Sequence, residues 1–164
     1  HALEQMHHLR ILHGDIAPDN IILHNLKRPV LIDFGSAQIY HAFGSPGGET
    51  QKIVPIKKHY SPPEFFLSAP SLKSDMYSLG ATMYFASTGL KPKDARTRAA
   101  GTPLPGLENI DDPDIKETIL VATSLDPQQR FDRMRTLGEK LMPSSLVQET
   151  TPRPKRWVSL RRCW

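Results

Sequence analysis

His13-Gly14-Asp15-Ile16-Ala17-Pro18-Asp19-Asn20 reads as a polar loop, and an apolar run, Ile21-Ile22-Leu23, follows it at once. A turn from Asn25 to Pro29 then leads into Val30-Leu31-Ile32-Asp33-Phe34-Gly35. Two short β-type runs bounded by turn residues predict a hairpin. Closing it brings Asp15 and Asn20, from one loop, next to Asp33 at the end of the second strand. Two carboxylates and an amide oxygen are the hard oxygen ligands that Mg²⁺ prefers. A carboxylate left free of metal can orient a hydroxyl for attack.

The rest of the chain must support that loop. With 164 residues, 38% of them hydrophobic, it is long enough to bury one core. The single cysteine, Cys163, excludes an internal disulfide and gives no zinc-type spacing. Leu79 to Leu90 is the most apolar stretch, but Ser, Thr and Gly interrupt it, so it reads as a buried helix and not a membrane span. The net charge of +4 is uneven: all 17 acidic residues precede Thr150, whereas Arg153, Lys155, Arg156, Arg161 and Arg162 follow it. His1 falls inside a helical pattern, so the natural start is expected upstream, where any targeting segment would lie. The expected compartment is cytoplasmic.

Periodicity predicts the other elements. Ala2 to Leu9 reads as a helix with Leu3, Met6 and Leu9 on one side, and with His7 and His8 on its surface. Ser36 to Ser61 is a loop rich in turn formers, Gly44-Ser45-Pro46-Gly47-Gly48 above all. Ser74-Asp75 opens a helix that ends near Gly89; Met76, Leu79, Ala81, Met83 and Phe85 make it apolar nearly all round. Lys91 to Pro105 reads as connector. Asp112-Pro113 starts another helix, an acid at the cap and Pro in the first turn, with Ile115, Ile119 and Ala122 inward. Arg133 to Leu141 is a last helix, with Met134, Leu137 and Leu141 at helical spacing. The fold class expected is mainly α with a short β-hairpin. Residues 1–143 form the domain, and 144–164 a Pro/Ser/Thr-rich and then basic tail or linker, for which no specific nucleic-acid partner is expected.

His-x-Asp-x-x-x-x-Asn followed by Asp-Phe-Gly resembles the catalytic loop and metal loop of protein kinases. The wording Asp-Ile-Ala-Pro-Asp-Asn is similar to that of a group of bacterial Ser/Thr kinases. Tyr60-Ser61-Pro62-Pro63-Glu64 resembles the Ala-Pro-Glu close of an activation segment. Asp75-x-x-Ser78-x-Gly80 resembles the central-helix signature, and Asp126-Pro127-x-x-Arg130 completes the series in order. The resemblance implies that Asp15 accepts or orients the substrate hydroxyl proton, with Asn20 beside it in the catalytic loop. Asn20 and Asp33 would hold Mg²⁺ against the phosphates of ATP, in a cofactor-binding loop completed by Phe34 and Gly35. His13 would be structural, packed near Phe34, and Glu64 would pair with Arg130 in the interior. Asp75 would fix the catalytic loop by accepting its backbone N–H groups, although an ordinary helix N-cap calls for the same residue type.

All of these motifs belong to the helical second half of such an enzyme. No Gly-rich phosphate loop, Val-Ala-Ile-Lys-like strand or Glu-bearing partner helix precedes them. The resemblance therefore implies the helical C-lobe of the protein-kinase-like fold with the N-lobe absent. ATP and Mg²⁺ are the implied cofactors, a protein bearing a Ser/Thr acceptor the substrate, and the missing N-lobe the partner in cis. Positioning is nearly all of the catalysis in this reaction, so the segment alone is expected to be inactive.

Four residues depart from the family pattern. Arg10 stands where a helix-ending Gly is common, Gly14 where many kinases have an Arg that grips an activating phosphate, and Ala17 where many Ser/Thr kinases have a Lys that neutralises the transferring phosphate. Lys57 stands where a Thr usually bonds the catalytic Asp; with Lys58 it reads as a solvated pair. Two other readings stay open: a lobe-only or degenerate kinase that serves as a binding scaffold, and a small-molecule phosphotransferase of the aminoglycoside and choline kinase type. The second shares His-Gly-Asp but lacks the Glu64, central-helix and Arg130 set, which favours the protein kinases. Because Gly14 has no side chain to meet a phosphate, phosphorylating Ser45 or Thr50 in the intact parent should leave its activity unchanged. A gain in rate on stoichiometric phosphorylation, read by kinase assay, would refute this.

Overall fold

The computed structural model describes residues 1–25, 28–40, 54–67 and 69–142. The turn-former cluster at 44–48, Ser45, Thr50 and the tail 144–164 lie outside them. The helices are α1 (Ala2–His8), α2 (Leu72–Thr88), α3 (Ala95–Ala99), α4 (Pro113–Ala122) and α5 (Met134–Lys140). The strands are β1 (Ile11–Leu12), β2 (Ile21–His24), β3 (Arg28–Leu31) and β4 (Gln38–Ile39), with short 3-10 turns between elements.

Helix α2 is the element on which the others pack. It begins at Leu72 and not at Ser74, because Ser71 is the extended cap residue and its N–H donates to Ser74 Oγ at 2.9 Å. It ends at Gly89, whose φ of +70° lets its N–H reach Phe85 O at 2.8 Å. Its burial is two-sided and not all round: Met76, Tyr77, Ala81 and Tyr84 are buried, whereas Leu79, Met83 and Phe85 are only partly covered. Met76 packs with Ala122, Met134 and Leu137, while Tyr84 packs with Leu104, Leu107 and Ile119. These clusters set α4 and α5 against α2. The start of α4 is held by Asp112 Oδ1, which accepts from Asp114 N at 2.9 Å and Ile115 N at 3.1 Å.

The expected hairpin forms, with β2 and β3 antiparallel and Ile22 opposite Val30. β3 stops at Leu31, so Ile32 and Asp33 lie beyond the strand. A second pairing, β1 with β4, was not foreseen; two residues on each side leave no periodicity to read. Leu9 does not continue the α1 stripe. The helix ends at His8, Arg10 turns the chain at φ +57°, and Leu9 is left exposed. Arg10 thus adopts the left-handed backbone for which Gly is the cheap choice, at a cost of about 1–2 kcal/mol. The segment read as connector contains α3. Asp94 caps it by accepting from Thr97 N at 3.1 Å, and Arg98 reaches Thr123 O at 2.6 Å.

Gly80 marks the closest approach of α2 and α4. A Cβ there would lie 2.7 Å from Ala122 Cβ and 3.0 Å from Thr123 Cγ2. Gly80→Ala should therefore destabilise the chain by about 1–3 kcal/mol through overpacking. Gly138→Ala, in α5 with no atom within 4 Å of the added methyl, should stabilise it by up to about 1 kcal/mol. Urea unfolding midpoints of the two variants check both signs.

Candidate active site

Adjacent residues of α2 hold the two halves of the site. Asp75, 1% exposed, is not the helix cap. Its Oδ2 accepts from His13 N at 2.9 Å and its Oδ1 from Gly14 N at 3.0 Å. His7 Nε2 lies 2.9 Å from the same Oδ2. A carboxylate can only accept, so that nitrogen carries the proton. His7 is thus not a surface residue: α1 turns it inward onto the buried acid, and only His8 stays exposed. Neighbouring apolar spacing gave no sign of this, because the partner is 68 positions away.

The loop that Asp75 holds carries the candidate chemistry. His13 is fully buried; its Nδ1 accepts from Asp15 N at 3.3 Å, and its ring centroid stands 5.2 Å from that of Phe34. Gly14 has φ +77°, and a Cβ there would meet Val54 Cγ1 at 3.0 Å and Ser36 O at 3.3 Å. Asn20 Nδ2 donates to Asp15 O at 2.7 Å and to Asp15 Oδ2 at 2.9 Å. Both N–H bonds of the amide are then spent on Asp15, which leaves Asn20 Oδ1 as the atom available to a cation. Asp15 Oδ1 lies 3.2 Å from Lys57 Nζ. Lys57 is therefore not half of a solvated pair; only Lys58 is exposed. Nearby, burial and the negative charge of Asp19 push the Tyr60 phenol above its ordinary pKa, which keeps it a neutral hydroxyl.

The hairpin delivers Asp33. Ile32 N donates to Asn20 O at 2.9 Å, so Asp33 is the residue next to one bonded to the backbone of the His13–Asn20 loop. Asp33 is exposed with φ +59°, and its Oδ1 accepts from Gly35 N at 3.1 Å. A Cβ at Gly35 would lie 3.1 Å from that same oxygen. The structure thus joins Asp15 to Asn20 directly. Asp33 makes no side-chain bond to either among the described residues. No three His, Cys, Asp or Glu side chains among those residues cluster closely enough to ligate a metal unaided. An amide oxygen and a carboxylate still fit Mg²⁺, which takes one or two protein carboxylates and fills its remaining positions with water and substrate phosphate.

The second half of the site is a buried ion pair. Arg130 Nη1 donates to Glu64 Oε1 at 2.6 Å and Nη2 to Oε2 at 2.9 Å. Ser74 Oγ adds a third bond to Glu64 Oε1 at 2.7 Å. The other guanidinium donors reach Ser124 O at 2.8 Å, Lys73 O at 2.9 Å and Leu125 O at 3.3 Å. Arg130 also lies over the Tyr77 ring at 5.1 Å. Burial raises the Tyr77 pKa, with the nearby Arg98 charge opposing it.

The family model described as "Protein kinase domain" matches residues 1–141. The chain belongs to the protein kinase family. It is 37% identical over 146 residues to the serine/threonine-protein kinase PknA of Nostoc sp., which covers 85% of this chain and 26% of that protein. It is 32% identical over 151 residues to the serine/threonine-protein kinase PknK of Mycobacterium tuberculosis, which covers 85% of this chain and 13% of that protein. Among solved structures, "PpkA-294 apo form" superposes with a TM-score of 0.67 at 25% identity, over 86% of this chain and 50% of that one. This kinase chain therefore spans about a quarter or less of the length of these two relatives, and its fold is protein-kinase-like.

Removing one member of the Glu64–Arg130 pair strands a buried charge. Glu64→Ala should cost about 3–5 kcal/mol, read as a fall in the free energy of urea unfolding. Glu139→Ala, which loses only the exposed i, i+4 pair with Arg135, should change it by about 0.5 kcal/mol or less.

Proposed function

We propose that residues 1–143 are the helical C-lobe of a serine/threonine protein kinase and that 144–164 continue it as a linker or tail. Joined in cis to a nucleotide-holding N-lobe, this lobe transfers the γ-phosphoryl group of ATP to Ser/Thr hydroxyls of a protein substrate. The observation that carries the reading is the Asp15–Asn20 arrangement, in a loop whose backbone is clamped by Asp75. Asn20 fixes the Asp15 carboxylate so that it can accept the proton of an incoming hydroxyl. Bound Mg²⁺ would neutralise charge on the nucleotide phosphates. Asn20 Oδ1 and the Asp33 carboxylate are the groups suited to hold it.

Other features agree with a missing half. Cross-strand partners Ile22 and Val30 are 53% and 45% exposed, and Phe34, whose ring is tilted against that of His13, is 53% exposed. Apolar side chains grouped beside the catalytic loop suit burial under a second lobe. The tightly braced Glu64, Ser74 and Arg130 triad favours a protein kinase over a small-molecule phosphotransferase, by the family resemblance drawn from the sequence.

The test is incorporation of labelled phosphate from ATP into protein by the intact parent. Asp15→Ala should lower the rate by about 10²–10⁴-fold, the contribution typical of a positioned acid–base group. The 164-residue chain alone should give no turnover. Equal incorporation by the parent and its Asp15→Ala variant would overturn the proposal.

A further inference from the structure

The catalytic loop lacks a cation of its own. Ala17 stands where the family resemblance places a Lys, and it is wholly buried. The charge that lies at Asp15 instead comes from another segment. Lys57 Nζ is 3.2 Å from Asp15 Oδ1, and among the described residues it is the one ion-pair partner of that carboxylate.

Lys57 is also held in place. Its N–H donates to Ser61 Oγ at 2.8 Å, and its carbonyl accepts from Tyr60 N and Ser61 N, both at 2.9 Å. With the backbone fixed on both sides, the four-carbon stem confines the ammonium to the surroundings of Asp15. An ammonium has three N–H bonds and no acceptor. Paired by charge with Asp15 Oδ1, it has donors for other oxygens as well. The Asp15 side chain is 12% exposed and that of Lys57 28%. This is more sheltered than the surface pairs that contribute little, while still open to an arriving substrate.

We propose that Lys57, from the segment after the catalytic loop, is a catalytic residue whose ammonium bridges Asp15 and the phosphoryl group in transfer, supplying the charge that Ala17 cannot. The inference rests on the kinase reading above and names a further residue of the same site. In the step, the acceptor oxygen forms a bond to the γ-phosphorus as the bond from that phosphorus to the β,γ-bridging oxygen breaks. ADP leaves with the bond's electron pair, and the hydroxyl proton passes to Asp15. Negative charge on the equatorial oxygens lies within reach of Lys57. A fixed cation aimed at that charge stabilises the transition state more than the bound nucleotide.

The experiment compares the intact parent with its Lys57→Met and Lys57→Arg variants. Met keeps the length of the stem and removes the charge; Arg restores the charge. Lys57→Met should lower kcat by about 10²–10³-fold with KM for ATP changed no more than about threefold, and Lys57→Arg should recover most of the loss. A readout apart from turnover is binding of MgADP with and without aluminium fluoride, a mimic of the phosphoryl group in transfer. Lys57→Met should weaken the fluoride complex by a factor similar to the kcat loss and leave MgADP binding unchanged.

Equal or higher activity in Lys57→Met would overturn the inference while leaving the kinase reading intact, since Lys57 would then be a bystander or a clamp on Asp15. Proportional weakening of MgADP and its fluoride complex, with a lowered melting temperature and no recovery in Lys57→Arg, would also overturn it by showing a structural role. No phosphate transfer by the wild-type parent would remove the kinase reading and the inference together.

Discussion

A carboxylate buried to 1% exposure needs donors for its oxygens, and in this chain those of Asp75 include backbone N–H groups of the His13–Asn20 loop. The N–H groups of His13 and Gly14 are bound to a side chain of the most deeply packed helix, so the loop inherits the rigidity of α2. His7 adds a proton donor from the other side. Helix α1 and the loop that follows it therefore meet α2, 61 to 68 positions away, on one functional group. The position of Asp15, one residue beyond the second clamp, follows from that meeting.

The neighbouring residue performs the matching task for the far side of the site. Ser74 takes the N–H of Ser71 on its oxygen and gives its own proton to Glu64, so the first turn of α2 is linked to the end of the segment that carries Lys57. Arg130 closes the arrangement with two bonds to Glu64 and three to backbone carbonyls. A guanidinium with its donors satisfied in this way gains geometric definition as well as attraction. The consequence for function is registry. The His13–Asn20 loop and the turn that carries Glu64 are fixed to consecutive residues of one helix, and their spacing cannot drift independently.

Much of this was legible in the order of residues. Helices α4, by its cap and apolar spacing, and α5, by its spacing alone, and the β2–β3 hairpin were all readable, because local pattern decides them. The pairing of Glu64 with Arg130 was readable only through the family resemblance, since no local rule links residues 66 positions apart. What failed to show was decided at long range or in very short elements. His7 looks like any polar helix residue until α2 is folded against it. Lys57 looks solvated until the chain returns to Asp15. β1 and β4 are too short to carry a period, and α3 is masked by flanking Pro and Gly, although Asp94 and Thr97 were a cap signal in plain view.

Gly14 sits where two strands of the loop converge, with Val54 on one side and the carbonyl of Ser36 on the other, in a backbone state that suits glycine. Chain from before and after the segment at 41–53 therefore meets across Gly14, where an added Cβ would be crowded. Exchanging Gly14 for arginine would strain the left-handed backbone and press on Val54 and Ser36. Glycine at this position thus keeps a tight crossing of the chain where a larger residue would hold it open.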